Sequence, residues 1–186
     1  NARTGCLIIN KRSSADKKTP LEGVTFKITT TNGSFLPDAD GKISSNGLYY
    51  TDENGQIILN SVVGSIVVNE IQSIDGYTIH EANRTQTVEI APDDTQTLYF
   101  YNDPLCSLTL RKLESVTGKP VPGTEFTVKD GNGGIIGRYT TGKDGTVTVT
   151  GLIPGSTVVV VETKVPAGYV LNTAPQTIIV KNGTGN

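Results

Sequence analysis

The sequence contains an internal repeat, and the repeat limits the folds that are open to this chain of 186 residues. Residues 7–11, Leu-Ile-Ile-Asn-Lys, match residues 108–112, Leu-Thr-Leu-Arg-Lys. In each half a turn with proline and glycine comes next, followed by a segment that contains a phenylalanine, Phe26 or Phe126. Repetition of this kind indicates two copies of one structural unit.

The match continues through the second part of each half. Segments 65–70 and 157–162 both end in a glutamate, and a Gly-Tyr pair follows each glutamate at the same distance. Each half then closes with a segment that ends in asparagine, residues 98–102 and residues 178–182, and we align these two segments with each other. The halves differ mainly by two insertions in the first, which we expect to be loops with a short helix or hairpin.

The repeat divides the chain into two domains, residues 1–103 and residues 104–186. At Asp103-Pro104-Leu105 the end of one repeat runs almost directly into the first strand of the next. Such a short link predicts two domains in tandem, in an elongated rod.

The composition predicts an all-β fold. Val, Ile and Thr dominate the apolar segments, and the chain has 21 glycines and 9 prolines, with no helical periodicity longer than a few residues. The pairs Asn54-Gly55 and Asp144-Gly145 are typical of tight hairpin turns.

Charge and residue types exclude several functions. The net charge of −2, with both signs mixed along the chain, argues against nucleic acid as a partner, and no apolar run is long enough to insert into a membrane. We predict no disulfide between Cys6 and Cys106. His80 is the only histidine, and neither cysteine has a second histidine to complete a zinc site or a conventional catalytic triad. No cofactor is predicted.

Two acidic runs, residues 38–41 and residues 52–55, have some of the oxygen ligands that calcium prefers. Neither has the spacing of a full calcium loop, and turn formation explains both, so we predict no metal site. The aromatic residues of the repeat are expected to pack in the core; these are Phe26, Phe126, Tyr77 and Tyr169.

Side chains two apart on a strand share a face, so each charged residue can be assigned to a face by its neighbours. Lys11 lies on the face of Ile9, Glu70 on that of Val68, and Asn102 on that of Phe100. The same pattern places three residues of the second half on apolar faces: Lys112, Glu162 and Asn182. Each half is therefore predicted to bury a lysine, a glutamate and an asparagine.

Burial disfavours the charged forms of an amine and a carboxyl group, and a neutral amine is a nucleophile. Beside a proton-donating acid, such an amine can attack the carbonyl carbon of a carboxamide. Two other interpretations stay open. A lysine at a strand end can reach water with its head group, and a buried glutamate can simply form a salt bridge with the lysine.

These residues resemble the Cna B-type, prealbumin-like domains of Gram-positive pilins and adhesins. The second half reads Val160-Val161-Glu162 and then Pro166-Ala167-Gly168-Tyr169, a close fit to the family motif, whereas the first half lacks the proline. The resemblance covers nearly the whole chain twice and implies two Greek-key β-sandwich domains of the prealbumin or immunoglobulin-like type.

In that family, a lysine of the first strand bonds to an asparagine of the last strand, assisted by the glutamate. The resemblance therefore implies isopeptide bonds from Lys11 to Asn102, assisted by Glu70, and from Lys112 to Asn182, assisted by Glu162. The reaction happens once and within the chain, so the protein is not expected to be an enzyme.

The resemblance implies a stalk or spacer of an extracellular, wall-attached bacterial protein, with neighbouring domains of that protein as partners. Neither a Tyr-Pro-Lys run nor a sorting signal is visible, which favours a repeat of an adhesin over a pilin backbone. The alternative is an adhesive module that binds a host matrix protein or glycan through residues 30–50 or 78–97. An exposed patch of Leu48, Tyr49 and Tyr50 would favour it.

Overall fold

The structure is a computed structural model that describes residues 3–38 and 40–181. The chain divides into two compact units, Asn1–Pro104 and Leu105–Asn186. The predicted all-β class is confirmed, because the described residues form strands and one short 3-10 helix, Glu81–Asn83. Within these described ranges, no helix is long and apolar enough to pass through a bilayer.

The described residues of the first unit form eight strands. In chain order these are β1 (Gly5–Ser13), β2 (Thr25–Thr30), β3 (Leu48–Tyr50), β4 (Gln56–Val62), β5 (Gly64–Gln72), β6 (Tyr77–Ile79), β7 (Thr85–Ile90) and β8 (Thr95–Pro104). They form one sheet in the order β4-β1-β8-β6 and another in the order β3-β2-β5-β7.

The core of the first unit lies between these two sheets. Alternate residues of β1, including Leu7 and Ile9, meet residues of β2 such as Phe26 and Ile28, and all four side chains are fully buried. Burial of each such side chain contributes about 1.5–3 kcal/mol. The alternation continues to the end of β1, so it brings a lysine to the same face as the apolar residues.

The pairing of β1 with β8 joins the first and last strands of the unit. The two strands run parallel over eight residue pairs, from Cys6 opposite Thr95 to Ser13 opposite Asn102. Parallel neighbours need a long connection, and here the rest of the unit supplies it. The ends of β1 and β8 that carry Lys11 and Asn102 therefore lie side by side.

The second unit contains six strands among residues 105–181. They are β9 (Cys106–Arg111), β10 (Glu125–Asp130), β11 (Ile135–Thr140), β12 (Thr146–Leu152), β13 (Thr157–Lys164) and β14 (Gln176–Ile179). One sheet has the order β11-β10-β13-β14, and β12 pairs with β9 in the other.

The position of β14 corrects one prediction from the repeat. Segments 98–102 and 178–182 were aligned as equivalent closing strands, but β8 pairs with β1 whereas β14 pairs antiparallel with β13. The partner of β14 makes it the counterpart of β7, which pairs antiparallel with β5. The alignment of the two closing segments is therefore wrong, because both have apolar residues followed by an asparagine and only long-range pairing distinguishes them.

The insertions of the first unit contain short elements, as expected. The isolated bridges Thr29–Phe35 and Pro37–Ile43 lie in the first, and the 3-10 helix lies in the second. Turn geometry accounts for the acidic runs, since Asp38 accepts hydrogen bonds from the N–H groups of Asp40 and Lys42. Asp52 likewise accepts hydrogen bonds from the backbone N–H groups two and four residues later in the chain.

A glycine turn supports the backbone of each lysine predicted to face the core. Gly55 has a φ of +69° and its carbonyl oxygen accepts a hydrogen bond from the N–H of Lys11 at 2.7 Å. Gly145 has a φ of +73° and accepts from the N–H of Lys112 at 2.8 Å. A β-carbon on Gly55 would lie 2.5 Å from the carbonyl oxygen of Lys11. Only glycine allows both the left-handed backbone and this close approach.

We expect Gly55→Ala to destabilise the first unit more than Gly76→Ala. Gly76 also has a positive φ, +84°, but its β-carbon would meet nothing within 4 Å, so its change costs only the left-handed backbone, about 1–2 kcal/mol. Gly55→Ala adds a clash with backbone, about 1–3 kcal/mol more. Denaturant unfolding of both variants measures the difference, and equal losses would contradict the role of the close approach.

Candidate functional site

The first unit buries a lysine against a glutamate from the opposite sheet. Lys11 Nζ of β1 lies 2.7 Å from Glu70 Oε1 of β5, and the two side chains are 0% and 1% exposed. The predicted inward orientation of both residues is confirmed. Because an unpaired charge at such a depth is costly, each residue depends on the other.

Asn102 completes this cluster. Its Nδ2 donates hydrogen bonds to Glu70 Oε2 at 2.6 Å and to Ser73 Oγ at 2.9 Å, and the residue is 0% exposed. Lys11, Glu70 and Asn102, which the sequence predicted to lie together, are therefore in one hydrogen-bonded group. The glutamate carboxyl bridges the amine and the carboxamide, with one oxygen toward each.

The walls of the site are aromatic. Phe26 lies opposite Glu70 in the β2–β5 register, and Phe100 lies opposite Lys11 in the β1–β8 register. The two rings meet edge to face with their centroids 4.9 Å apart, and both residues are buried. The prediction that Phe26 packs in the core is confirmed, and the rings exclude water from the polar group.

Burial lowers the pKa of Lys11 below the ordinary lysine value of 10.5. Removal of the amine from water is the largest cause, and the hydrogen bond and charge of Glu70, with the charge of Asp103, oppose it. The lowered pKa increases the neutral fraction of the amine, which is the form that can act as a nucleophile.

One carboxamide atom has no hydrogen-bond partner among the described residues. Asn102 Oδ1 is buried without a hydrogen bond, although buried carbonyl oxygens are nearly always paired. Rotation of the carboxamide by half a turn would place Oδ1 where Nδ2 now lies, within reach of Glu70 Oε2 and Ser73 Oγ. Both groups can then donate to Oδ1, if Glu70 holds a proton, and would polarise the carbonyl toward attack by the amine.

Sequence reasoning missed Ser73. It follows β5 in a loop, three residues after Glu70, where strand periodicity no longer assigns a face. The repeat gave no signal either, because the residue three positions after Glu162 is Val165. Only the contact with Asn102 identifies it.

The second unit has the same ion pair in a more open setting. Lys112 Nζ lies 2.8 Å from Glu162 Oε1, with the side chains 24% and 5% exposed. Glu162 Oε2 accepts a hydrogen bond from the backbone N–H of Asn172 at 2.7 Å. The buried position of Glu162 is confirmed, whereas Lys112 remains partly in contact with solvent.

The other residues predicted for the second unit differ in outcome. Asn182 lies outside the described residues, so its role stays a prediction. The prediction that Tyr169 packs in the core is wrong: it is 39% exposed, whereas Tyr77 of the first unit packs against the core.

Comparison with family models gives two matches, to the SpaA prealbumin-like fold domain, over residues 5–104 and 106–186. The chain belongs to this family. Each unit is thus one SpaA-type domain, in agreement with the resemblance found in the sequence. None of the curated proteins compared with the chain matches it.

Solved structures share the fold. A streptococcal ancillary pilin is 24% identical with a TM-score of 0.53, and the match covers 98% of this chain and 60% of that one. The shaft pilin SpaA of Lactobacillus rhamnosus GG is 16% identical with a TM-score of 0.52, covering 98% and 95%. The Bacillus anthracis TIE protein is 24% identical with a TM-score of 0.47, covering 99% and 32%. The SpaA-type pair thus spans less than two thirds of two of these proteins.

We expect the stability of an Asn102→Ala variant, in which Lys11 keeps a free amine, to rise with pH. Because the pKa of Lys11 is lower in the folded state, the unfolded chain binds more protons between that pKa and 10.5. Raising the pH through this window therefore favours folding. A Lys11→Met/Asn102→Ala double variant lacks this contribution, and the titration of groups that do not contact Lys11 cancels between the two.

Denaturant unfolding of both variants at a series of alkaline pH values measures the difference in the free energy of unfolding. The free energy of unfolding of the single variant should increase relative to that of the double variant as the pH approaches 10.5. A constant difference, or one of opposite sign, would show that the folded state does not disfavour the charged amine.

Proposed function

We propose that the chain is a structural stalk module of a Gram-positive bacterial surface protein, whose first domain is locked by an isopeptide bond between Lys11 and Asn102. The observation that supports this most strongly is the group of Lys11, Glu70 and Asn102, which is buried and hydrogen-bonded through the carboxyl group of Glu70. A purely structural ion pair does not need the carboxamide.

The reaction follows from the order of the three groups. The neutral amine of Lys11 attacks Cγ of Asn102 while protonated Glu70 polarises the carboxamide oxygen. Glu70 then transfers the proton released by the amine to the departing nitrogen, so ammonia leaves and an amide remains. Folding holds the groups at high effective concentration, which replaces a bimolecular encounter. The reaction occurs once for each domain, so we propose no enzymatic activity toward other molecules.

The bond would resist tension because of where it lies. Force applied to the beginning of β1 and the end of β8 pulls these parallel neighbours in opposite directions. A covalent link from Lys11 to Asn102 carries that force from one strand to the other near the ends of both. The chain between residues 12 and 101 then bears none of the applied force.

The same link would stabilise the folded state without load. In the chain-entropy view of cross-links, closing a loop that spans most of a domain contributes about 4–5 kcal/mol. Cross-linked stalk domains of this kind would withstand heat and proteolysis on an extracellular surface. We propose the cell-wall surface as the location, and neighbouring domains of the same protein as partners.

For the second domain we propose the same chemistry at Lys112, with Glu162 as the assisting acid. The acceptor predicted from the sequence is Asn182.

The adhesive alternative receives little support from the surface of the first domain. The exposed patch of Leu48, Tyr49 and Tyr50 that would favour it does not form, because Tyr49 is 8% exposed and its hydroxyl donates to the carbonyl oxygen of Leu36. Tyr50 alone is largely exposed, at 62%.

We expect the denatured chain to weigh less than the sum of its residues by one ammonia that maps to the first domain. Intact mass spectrometry measures the loss, and digestion should yield a branched peptide that joins the segments with Lys11 and Asn102. Glu70→Gln keeps the size of the side chain but removes the acid, so the ammonia of the first domain should be retained.

Glu81→Ala is the matched control. Glu81 also pairs with a cation, Arg84 at 2.9 Å, but its side chain is 74% exposed and lies outside the buried group. Its ammonia loss should equal that of the unchanged chain. An unchanged chain of full calculated mass would refute the bond.

We expect Ser73→Ala to slow bond formation by about tenfold or more, because it removes one hydrogen bond to the reacting carboxamide. Cell-free synthesis, quenched at successive times and weighed, gives the rate. Ser73→Thr keeps the hydroxyl and should restore it, and Ser65→Ala, a change on the exposed side of β5, should have no effect. Equal rates in Ser73→Ala and the unchanged chain would exclude a positioning role.

A further inference from the structure

A β-bulge lies directly after Glu70 in β5. Phe26 of β2 pairs with Glu70. The next pair joins Thr25 to Gln72, which makes Ile71 the extra residue of the bulge. A bulge interrupts the ladder of hydrogen bonds locally and changes the direction of nearby side chains. Pairing with β2 therefore holds the backbone at Glu70 less firmly than the earlier part of β5.

The ladder on the other side of β5 also ends near this place. The last pair of the β5–β7 register joins Asn69 to Thr85, the first residue of β7. One residue beyond it, the N–H of Glu70 donates to the carbonyl oxygen of Arg84 at 2.8 Å. The carbonyl oxygen of Glu70 thus lies past the end of the register, where a donor has to come from outside the ladder.

The side chain of Arg84 supplies that donor. Its Nη2 lies 2.9 Å and its Nε 3.3 Å from the carbonyl oxygen of Glu70. With the backbone bond, three hydrogen bonds join these two residues. Bonds from a charged donor are stronger than bonds between neutral groups, and the guanidinium group holds its donors in a rigid plane. Arg84 therefore fixes the backbone position from which the Glu70 carboxyl group reaches into the core.

The second domain has no arginine at the equivalent position. Gln86 of β7 and Gln176 of β14 correspond, because each is opposite the valine two residues before the acid of its domain. Two residues before each glutamine, the first domain has Arg84 and the second has Ala174. Since alanine has no side-chain donor, this means of holding the acid belongs to the first domain.

A different side chain secures the corresponding bulge of the second domain. Thr163, which follows Glu162, is the extra residue there, as Ile71 is in the first domain. Its Oγ1 donates to Glu125 Oε1 of the neighbouring strand β10 at 2.8 Å. The side chain of Ile71 has no polar group for such a bond. Equivalent bulges are thus held by different side chains, and in the first domain the contact comes from Arg84.

We propose that Arg84 is a positioning residue for the acid of the cross-linking reaction. It holds the backbone of Glu70 at the bulge, so that the carboxyl group keeps one oxygen on the amine of Lys11 and the other on the carboxamide of Asn102. Arg84 contacts the backbone of Glu70 and not its carboxyl group, so it acts through Glu70. This inference rests on the proposed function.

We expect Arg84→Ala to slow bond formation between Lys11 and Asn102 by about tenfold to a hundredfold, because misplacing a reacting group by about 1 Å can cost about a hundredfold in rate. Cell-free synthesis of the full chain, quenched at successive times and weighed after denaturation, gives the rate of ammonia loss. Arg84→Lys keeps a long cationic donor that can make one of the two side-chain bonds, so it should be slowed less than Arg84→Ala.

Glu81→Ala is the matched control for the rate. Glu81 pairs with Arg84 through Nη1, at 2.9 Å, and Nη1 is not one of the nitrogens that bind the carbonyl oxygen of Glu70. An exposed ion pair of this kind contributes little. Glu81→Ala should therefore react at the rate of the unchanged chain.

A second measurement separates position from stability. Asn102→Ala cannot form the bond, so denaturant unfolding of Asn102→Ala with and without Arg84→Ala gives the folded fraction of the unreacted chain. A purely structural role would lower the rate only in proportion to this fraction. Slow reaction of a chain that is almost fully folded therefore supports positioning. Should Arg84→Ala fail to fold, Arg84→Lys decides, since its rate should still fall below that of the unchanged chain.

Two results would overturn the proposal and leave the proposed function intact. One is a folded Arg84→Ala chain that loses the ammonia of the first domain as fast as the unchanged chain. The other is an Arg84→Lys chain that reacts as slowly as Arg84→Ala, because the donors to Glu70 would then not be what matters. An unchanged chain that never loses this ammonia refutes the proposed function itself, and the role of Arg84 with it.

Discussion

The contact between Lys11 and Glu70 organises the first domain. It joins β1 of one sheet to β5 of the other in the interior, where neither charge has water to solvate it. Such a pair contributes little net stability by itself, because removing two charges from water costs about as much as their attraction returns. Its effect is on specificity: any packing that separates the two groups leaves a buried charge alone. The carboxamide of Asn102 extends the same requirement to β8.

The second domain shows the same pair with its lysine more exposed. Lys112 and Glu162 keep nearly the separation of their counterparts, 2.8 Å against 2.7 Å, although the lysine is 24% exposed rather than fully buried. The pair therefore forms even where the lysine keeps some contact with solvent. In the first domain, burial lowers the pKa of Lys11 and so increases the neutral fraction of its amine.

Much of this arrangement could be predicted from the sequence, because strand parity is a local property. Alternation along β1, β5 and β8 was sufficient to place Lys11, Glu70 and Asn102 on buried faces. The same rule could not assign β14 to its sheet, because β7 and β8 both contain a Gln-Thr pair followed by an apolar residue, as β14 does, and their partners are set by contacts distant in sequence. Nor could it reveal Ser73, a loop residue whose importance comes only from its contact with Asn102.

The order of the strands along the chain also has a consequence for how a domain is completed during synthesis. Strand β8 is the last element of its domain to be made, and its partner β1 is the first. Contacts between such distant segments form late in folding. During synthesis, Lys11 and Glu70 are therefore present before Asn102. The amine can react only after the ribosome has completed β8.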